Sequence, residues 1–498
     1  MKKHTKTMMI VIGAVAAVPV VLFIVAAIRT KTYPFAKIAV EDTPAAAVMP
    51  SERAVERLAG GIRIPTVSSA VDEQSDNPFE KFKAYLPAAY PELYRNLDTL
   101  TVNRYGLLLR WPGSNTSLRP ILLCSHYDVV PVMNYDPATP DAPLPGWDRP
   151  PFSGAVADGR IYGRGTLDMK GMLFSILEAA DSLLAEGFRP ERDVWFAFGF
   201  DEETGGTAGA VNIAQYFKQH DMVFDAVYDE GGIISAPGLG GIRVPVTLVG
   251  TAEKGFCTIR IRVFGQGGHS SMPPARGSLV DAAEIMVRLN RRQLPARLTA
   301  PVAAFLDRVG GAMGFTRRMA IANRWLFGGM LLRSFGKNPA TAALVRTTTA
   351  VTMAQGSDAP NVLASEAVVT VNFRLLPGTS TEQVRRHVEE ICKGYRTEIE
   401  VVSAREPSRI SPDDVHAFDV IGRSLARLYP AAVVTPYLTL GGTDAYKYES
   451  VSPNVYRFMP VLLTEQERQT IHNENESISL ENYGRMIAYF TDLIRDYR

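Results

Sequence analysis

Short apolar runs alternate with helical repeats from about Glu52 to Leu248. Ile121–Cys124, Val194–Phe200 and Phe224–Tyr228 are the runs, and they have the pattern of strands buried in a parallel sheet. Between the first two, Leu173, Ile176, Leu177, Ala180 and Leu184 recur at helical spacing. They predict a helix over Met169–Ala185, stopped by Gly187. Near Lys254 the period changes to two: Cys257, Ile259, Ile261 and Val263 alternate with Thr258, Arg260 and Arg262. A helix over Leu279–Leu289 follows, then strands at Thr347–Met353 and Ala367–Leu375, a helix at Thr381–Cys392 and a strand at Glu398–Val402. That order is β-α-β-β-α-β, the split βαβ arrangement. From about Ser411 the chain returns to α/β character. The expected fold is therefore α/β: a discontinuous domain with a mostly parallel central sheet over 51–252 and 408–498. A ferredoxin-like α+β domain over 253–407, itself carrying an insertion at 295–346, interrupts it.

The first fifty residues read differently. Met8–Ile28 carries no charge and would span ~30 Å as a helix, the thickness of a bilayer core. Lys2, Lys3 and Lys6 precede it, which favours the N-terminus inside. Residues 1–32 are expected to be a cytoplasmic tip and membrane anchor. The alternative is a signal segment cleaved after Val25-Ala26-Ala27 and secretion of the rest. Proline-rich residues 33–50 read as a stalk. A net charge of +1 removes any global attraction to nucleic acid. Cys124, Cys257 and Cys392 are too few and too scattered for a disulfide framework and are expected to pack in the core.

With only seven histidines in the chain, their neighbours become informative. The first apolar run leads into Ser125-His126-Tyr127-Asp128, the second into Asp201-Glu202-Glu203, the third into Asp229-Glu230. In open α/β sheets ligands bind beyond the carboxyl ends of the strands. Asp168 lies in a glycine-rich turn, Gly163-Arg164-Gly165-Thr166-Leu167-Asp168, before the predicted helix. Taken one by one, these residues have ordinary structural uses: a helix cap for Asp168, a solvated pair for Glu202 and Glu203, a turn for Asp229. Taken together, converging carboxylates would repel, and a cation removes the conflict. Carboxylate with imidazole suits zinc, alone or paired, better than calcium. Asp128 is placed to hold the second nitrogen of His126, and one of the adjacent glutamates can ligate while the other acts as general base.

These motifs, with Gly267-Gly268-His269-Ser270-Ser271 and Gly441-Gly442-Thr443-Asp444, resemble family twenty of clan MH, the di-zinc metallopeptidases. The likeness runs from about Glu52 to the end. Within this family of aminoacylases and carboxypeptidases, it points to the branch that holds carboxypeptidase S and the N-fatty-acyl-amino-acid synthase/hydrolases. It implies a zinc-peptidase-like catalytic domain with an inserted lid, and two Zn2+, or other divalent cations such as Co2+ or Mn2+. His126 and Asp229 would bind one metal, Glu203 and His472 the other, and Asp168 would bridge them. Glu202 would be the general base and Asp128 would orient His126. His472 has no local signal and is placed by the resemblance alone. The same resemblance implies that His269 stabilises the oxyanion, often across a homodimer formed through the lid. It further implies that Arg374, Asn361 and Gly442 bind substrate, Arg374 gripping a carboxylate.

The expected activity is hydrolysis of a peptide or N-acyl amide bond next to a free carboxylate, on a small N-acyl amino acid or short peptide. The alternatives are a dipeptidase, a reversible N-acyl amino acid synthase and, in a different class, an inactive membrane-tethered binding protein. The presence of the base and every expected ligand speaks against the last. The 295–346 insertion holds eight Lys and Arg against one acid, Asp307. It is expected to cover a greasy substrate pocket, touch anionic lipid, or pack as a solvated excursion on the lid.

Overall fold

A computed structural model of the chain describes residues 18–36, 47–68 and 77–498. They form two compact units. The larger holds residues 47–239, 244–255 and 406–498; the smaller holds 240–243, 256–405 and the segment 18–36.

The larger unit is built on an eight-stranded sheet. Its centre is parallel: Val194–Gly199, Ile121–His126, Ala226–Ser235 and Val455–Leu463 lie side by side in that order. Antiparallel strands complete one edge, Gly106–Trp111 beside Val194–Gly199 and then Asp98–Val102. The first two apolar runs are buried at every residue, which is why they read as uninterrupted hydrophobic stretches. Helix Lys170–Ala185 is almost wholly buried in the main core, beside the C-terminal helix Leu480–Asp496. Mixed α/β character with a mostly parallel central sheet is thus what forms.

The smaller unit contains an antiparallel four-stranded sheet, in the order Thr348–Gln355, Glu366–Leu375, Gly255–Phe264, Thr397–Arg405. Helices Ser278–Arg291 and Thr381–Cys392 pack on it. The chain order is β-α-β-β-α-β. Strict alternation follows from one buried face: Cys257, Ile259, Ile261 and Val263 are buried, as are Ala367, Val369, Val371, Phe373 and Leu375. Helix Thr381–Cys392 begins with a capping box between Ser380 and Gln383. All three cysteines are free and buried.

The insertion forms four helices, Ala300–Val309, Phe315–Ala322, Arg324–Phe335 and Pro339–Val345. The expected membrane span Met8–Ile28 lies half outside the described residues. Its remainder belongs to a helix over 18–32, and no helix among the described residues is long and apolar enough to cross a membrane.

Candidate functional site

Strand Ile121–His126 pairs in parallel with both Val194–Gly199 and Ala226–Ser235, so the carboxyl ends of these strands share one edge of the sheet. His126 ends the first strand. Glu202 and Glu203 lie in a single 3-10 turn, Glu202–Thr204, after the second. Asp229 and Glu230 lie within the third. Asp168 arrives from the glycine-rich turn, joined to Met169 by a cis peptide bond. His472 comes from the loop before strand Ser477–Ser479.

His126 Nε2 is 3.2 Å from Asp168 Oδ1 and 3.4 Å from Glu230 Oε1. His472 Nε2 is 2.7 Å from the other Asp168 oxygen and 3.1 Å from Glu203 Oε1. Asp168 therefore stands between the two imidazoles. Among the described residues, two sets of side chains bring ligand atoms close enough to share a cation: His126 with Glu202 and Glu230, and His126 with Asp168 and Glu203. Asp229 belongs to neither set. It is buried, and its Oδ2 has no hydrogen-bond partner. Glu230, which the motif reading left without a role, faces His126.

Three buried groups fix this arrangement. Asp128 is fully buried; its Oδ1 is 3.2 Å from His126 Nδ1, and its two oxygens accept the backbone N–H groups of Glu202 and Glu203 at 3.1 Å each. One carboxylate thus ties the imidazole to the glutamate turn. Glu476 does the same for the glycine-rich turn. It accepts N–H groups from Gly165, Leu167 and Asp168 at 3.0, 2.8 and 3.1 Å and pairs with Arg164 at 2.7 Å. Lys447 donates to Gly205 O at 2.8 Å and pairs with Asp444, fastening the end of the glutamate turn. Gly206 is in the left-handed region at φ +63°, and a Cβ there would meet Lys447 Nζ and Asp444 Oδ1. Neither Glu476 nor the Lys447–Asp444 pair stood out in the sequence, although Glu476 lies four residues past His472 and Asp444 in a glycine motif.

Without a cation the cluster is electrostatically frustrated. Burial, with Glu230 beside it, pushes the Glu202 carboxyl well above its usual range. Burial raises Glu203 as well. Burial lifts Glu230 to about 8 and, with Asp444 adding to it, Asp229 to about 7. Hydrogen bonds with Asp168 and Glu203 raise His472 to about 10. Burial would raise Asp168 too, but the His126 and His472 imidazoles beside it hold it low. His126 Nε2, buried and 3.2 Å from a carboxylate, still has no hydrogen-bond partner of good geometry. A buried imidazole nitrogen and a buried carboxylate oxygen left unsatisfied among several acids is the donor set that a divalent cation completes.

The remaining predicted residues are elsewhere. His269, Asn361 and Arg374 belong to the smaller unit and are exposed. A two-stranded ladder, Gly268–His269 with Val362–Leu363, brings His269 beside Asn361, whose carbonyl accepts the Ser270 N–H at 3.0 Å. The His269 ring is 2.7 Å from Ser271 Oγ. Gly442 is exposed in the larger unit, one residue before Thr443, which donates to Glu253 at 2.8 Å.

Residues 122–496 match the model of peptidase family M20/M25/M40. The chain is 34% identical over 447 residues to a probable carboxypeptidase S-like protein of Dictyostelium discoideum, covering 89% of this chain and 84% of that one. It is equally, 34%, identical over 446 residues to an N-fatty-acyl-amino acid synthase/hydrolase of Xenopus tropicalis, covering 89% and 85%. Carboxypeptidase S of Saccharomyces cerevisiae is 28% identical over 502 residues, covering 88% and 83%. In fold the chain is similar to an M20 family metallo-carboxypeptidase of Sulfolobus solfataricus, at a TM-score of 0.63 and 20% identity, covering 90% of this chain and 99% of that one. A family match over three quarters of the sequence, on a site that gathers imidazoles and carboxylates at the edge of an α/β sheet, leads to one conclusion: the chain belongs to peptidase family M20/M25/M40, divalent-metal hydrolases acting on C–N bonds.

Proposed function

We propose that the chain cleaves the amide of an N-acyl amino acid, or of a short peptide, beside a free carboxylate. The observation that carries this reading is the buried cluster in which Asp168 lies between His126 and His472 with Glu202, Glu203 and Glu230 around them. His126, Asp168, Glu203 and His472 would hold two divalent cations, zinc by the donor set, with Glu230 or Asp229 completing the site at His126. Bound there, the cations would polarise the scissile carbonyl and favour ionisation of the attacking water. Glu202 takes the proton from that water and returns it to the departing nitrogen. Asp128 holds His126 in one orientation. His269 is assigned to the oxyanion, Arg374 to the substrate carboxylate, and Asn361 and Gly442 to substrate contacts. The same groups serve condensation in reverse, in keeping with relatives named synthase/hydrolase.

The names of those relatives, N-fatty-acyl, support a long apolar acyl group. Residues 1–32 are proposed as an N-terminal anchor that places the enzyme outside the cytoplasmic face, with secretion after cleavage as the alternative. A series of acyl lengths on one amino acid tests the substrate. Each buried methylene adds up to ~0.8 kcal/mol, so kcat/KM should climb from acetyl to palmitoyl. A flat or falling series would reject the fatty-acyl substrate and leave a general carboxypeptidase or dipeptidase.

A further inference from the structure

Helix Arg324–Phe335 is out of place on a water-facing surface. Seven of its twelve residues are large and apolar, and none of the twelve is buried. Trp325 is 57% exposed and Met330 60%. A helix apolar on all sides belongs in a core or in lipid, and a patch of this kind marks an interaction surface.

The helix over 18–32 has the same property and meets it at one joint. Val20, Phe23, Ile24 and Ile28 are each more than half exposed. At the joint, buried Asn323, the residue that begins Arg324–Phe335, donates to Ala26 O at 3.0 Å and to Thr30 Oγ1 at 3.2 Å. Arg29 donates to Ala322 O at 2.9 Å. Tyr33 and Arg324 both bond Asp307, at 2.8 and 2.7 Å. The only acid of the insertion is thus spent inside the joint. Exposed Arg333 and Lys337 follow the apolar turns of Arg324–Phe335, and Arg29 and Lys31 stand at the end of the other helix.

We propose that helix Arg324–Phe335, joined to the 18–32 helix, lies on a lipid bilayer bearing anionic headgroups, with Trp325 and Met330 in the acyl boundary. An apolar helix with basic residues at its end, and a tryptophan among its exposed side chains, fits that interface. A second copy of the chain would match the apolar surface but set two insertions of eight basic residues and one acid against each other. An anionic bilayer answers both the apolar surface and the charge. The inference does not need the 8–28 run to span the membrane.

The test is tryptophan quenching by brominated phospholipid in vesicles of phosphatidylglycerol and phosphatidylcholine, with the full chain and its Trp325→Phe variant. Trp111, Trp147 and Trp195 belong to the larger unit, so the difference between the two proteins isolates Trp325. Bromolipid should quench the full chain by an amount that Trp325→Phe lacks. Arg333→Glu with Lys337→Glu should cut that difference roughly twofold or more on the anionic vesicles. A chain that floats with vesicles but shows no Trp325-dependent quenching overturns the inference and leaves the anchor intact. A chain that neither floats nor is quenched removes both. Trp325 shielded from bromolipid in a concentration-dependent dimer assigns the surface to a second copy and equally overturns the proposal.

Discussion

Two adjacent acids, Asp229 and Glu230, compete for the place beside His126. They lie on Ala226–Ser235 where its pairing with Val455–Leu463 shifts register. The family resemblance puts the ligand at Asp229, while Glu230 stands 3.4 Å from His126. The sequence marks the pair, and the local irregularity of the strand keeps a simple two-residue period from choosing between them. Metal content of single variants separates the two: Glu230→Gln is expected to lower it from about two per chain toward one, and Asp229→Asn to change it less. The reverse ranking, by elemental analysis of purified protein, would return the role to Asp229. His126, Asp168 and Glu203 were legible because each sits in a motif after a buried strand or in a glycine turn. His472 was not, because its loop has no periodicity and its partners are about three hundred residues away along the chain. Glu476 was missed for the same reason. Its pair with Arg164 is buried on both sides, so Glu476→Ala leaves an uncompensated guanidinium and frees three backbone N–H groups. A loss of about 3–5 kcal/mol in urea unfolding is expected. A loss below about 1 kcal/mol, the scale of an exposed pair, would show that the turn holding Asp168 does not depend on it.

At the scale of elements, the first two buried strands and the alternating strands of the smaller unit were readable from their period, while the third run, expected over Phe224–Tyr228, forms strand Ala226–Ser235 with Asp229 and Glu230 inside it. Thr381–Cys392 begins and ends where the pattern places it, and the lid-type strands differ only by a few residues at their ends. The glutamate turn was less legible. Its form depends on Asp128 receiving two N–H groups and on Lys447 holding Gly205 O, contacts from distant segments. Gly206→Ala forces a Cβ into the left-handed region and against the Lys447–Asp444 pair. Backbone strain alone costs about 1–2 kcal/mol, and turnover should fall along with stability because the same turn carries Glu202 and Glu203. An alanine variant with wild-type thermal unfolding and turnover would mean that the turn tolerates displacement.

At the scale of the molecule, an α/β sheet and a β-α-β-β-α-β insertion were both visible in the hydrophobic pattern, because each core is one sheet with helices against it. The joining of the 18–36 segment with the insertion was not visible, since it rests on single polar contacts such as Asn323 to Ala26 rather than on a repeat. The family match and the buried cluster lead to a hydrolase, and the proposed proton carrier is Glu202. The direct measurement is the turnover and metal content of Glu202→Gln, an isosteric change that removes the base and leaves Glu203, Asp168, His126 and His472 in place. The account predicts wild-type metal content with turnover lower by about a hundredfold or more, the scale of general base catalysis. Turnover near wild type at full metal content would contradict it.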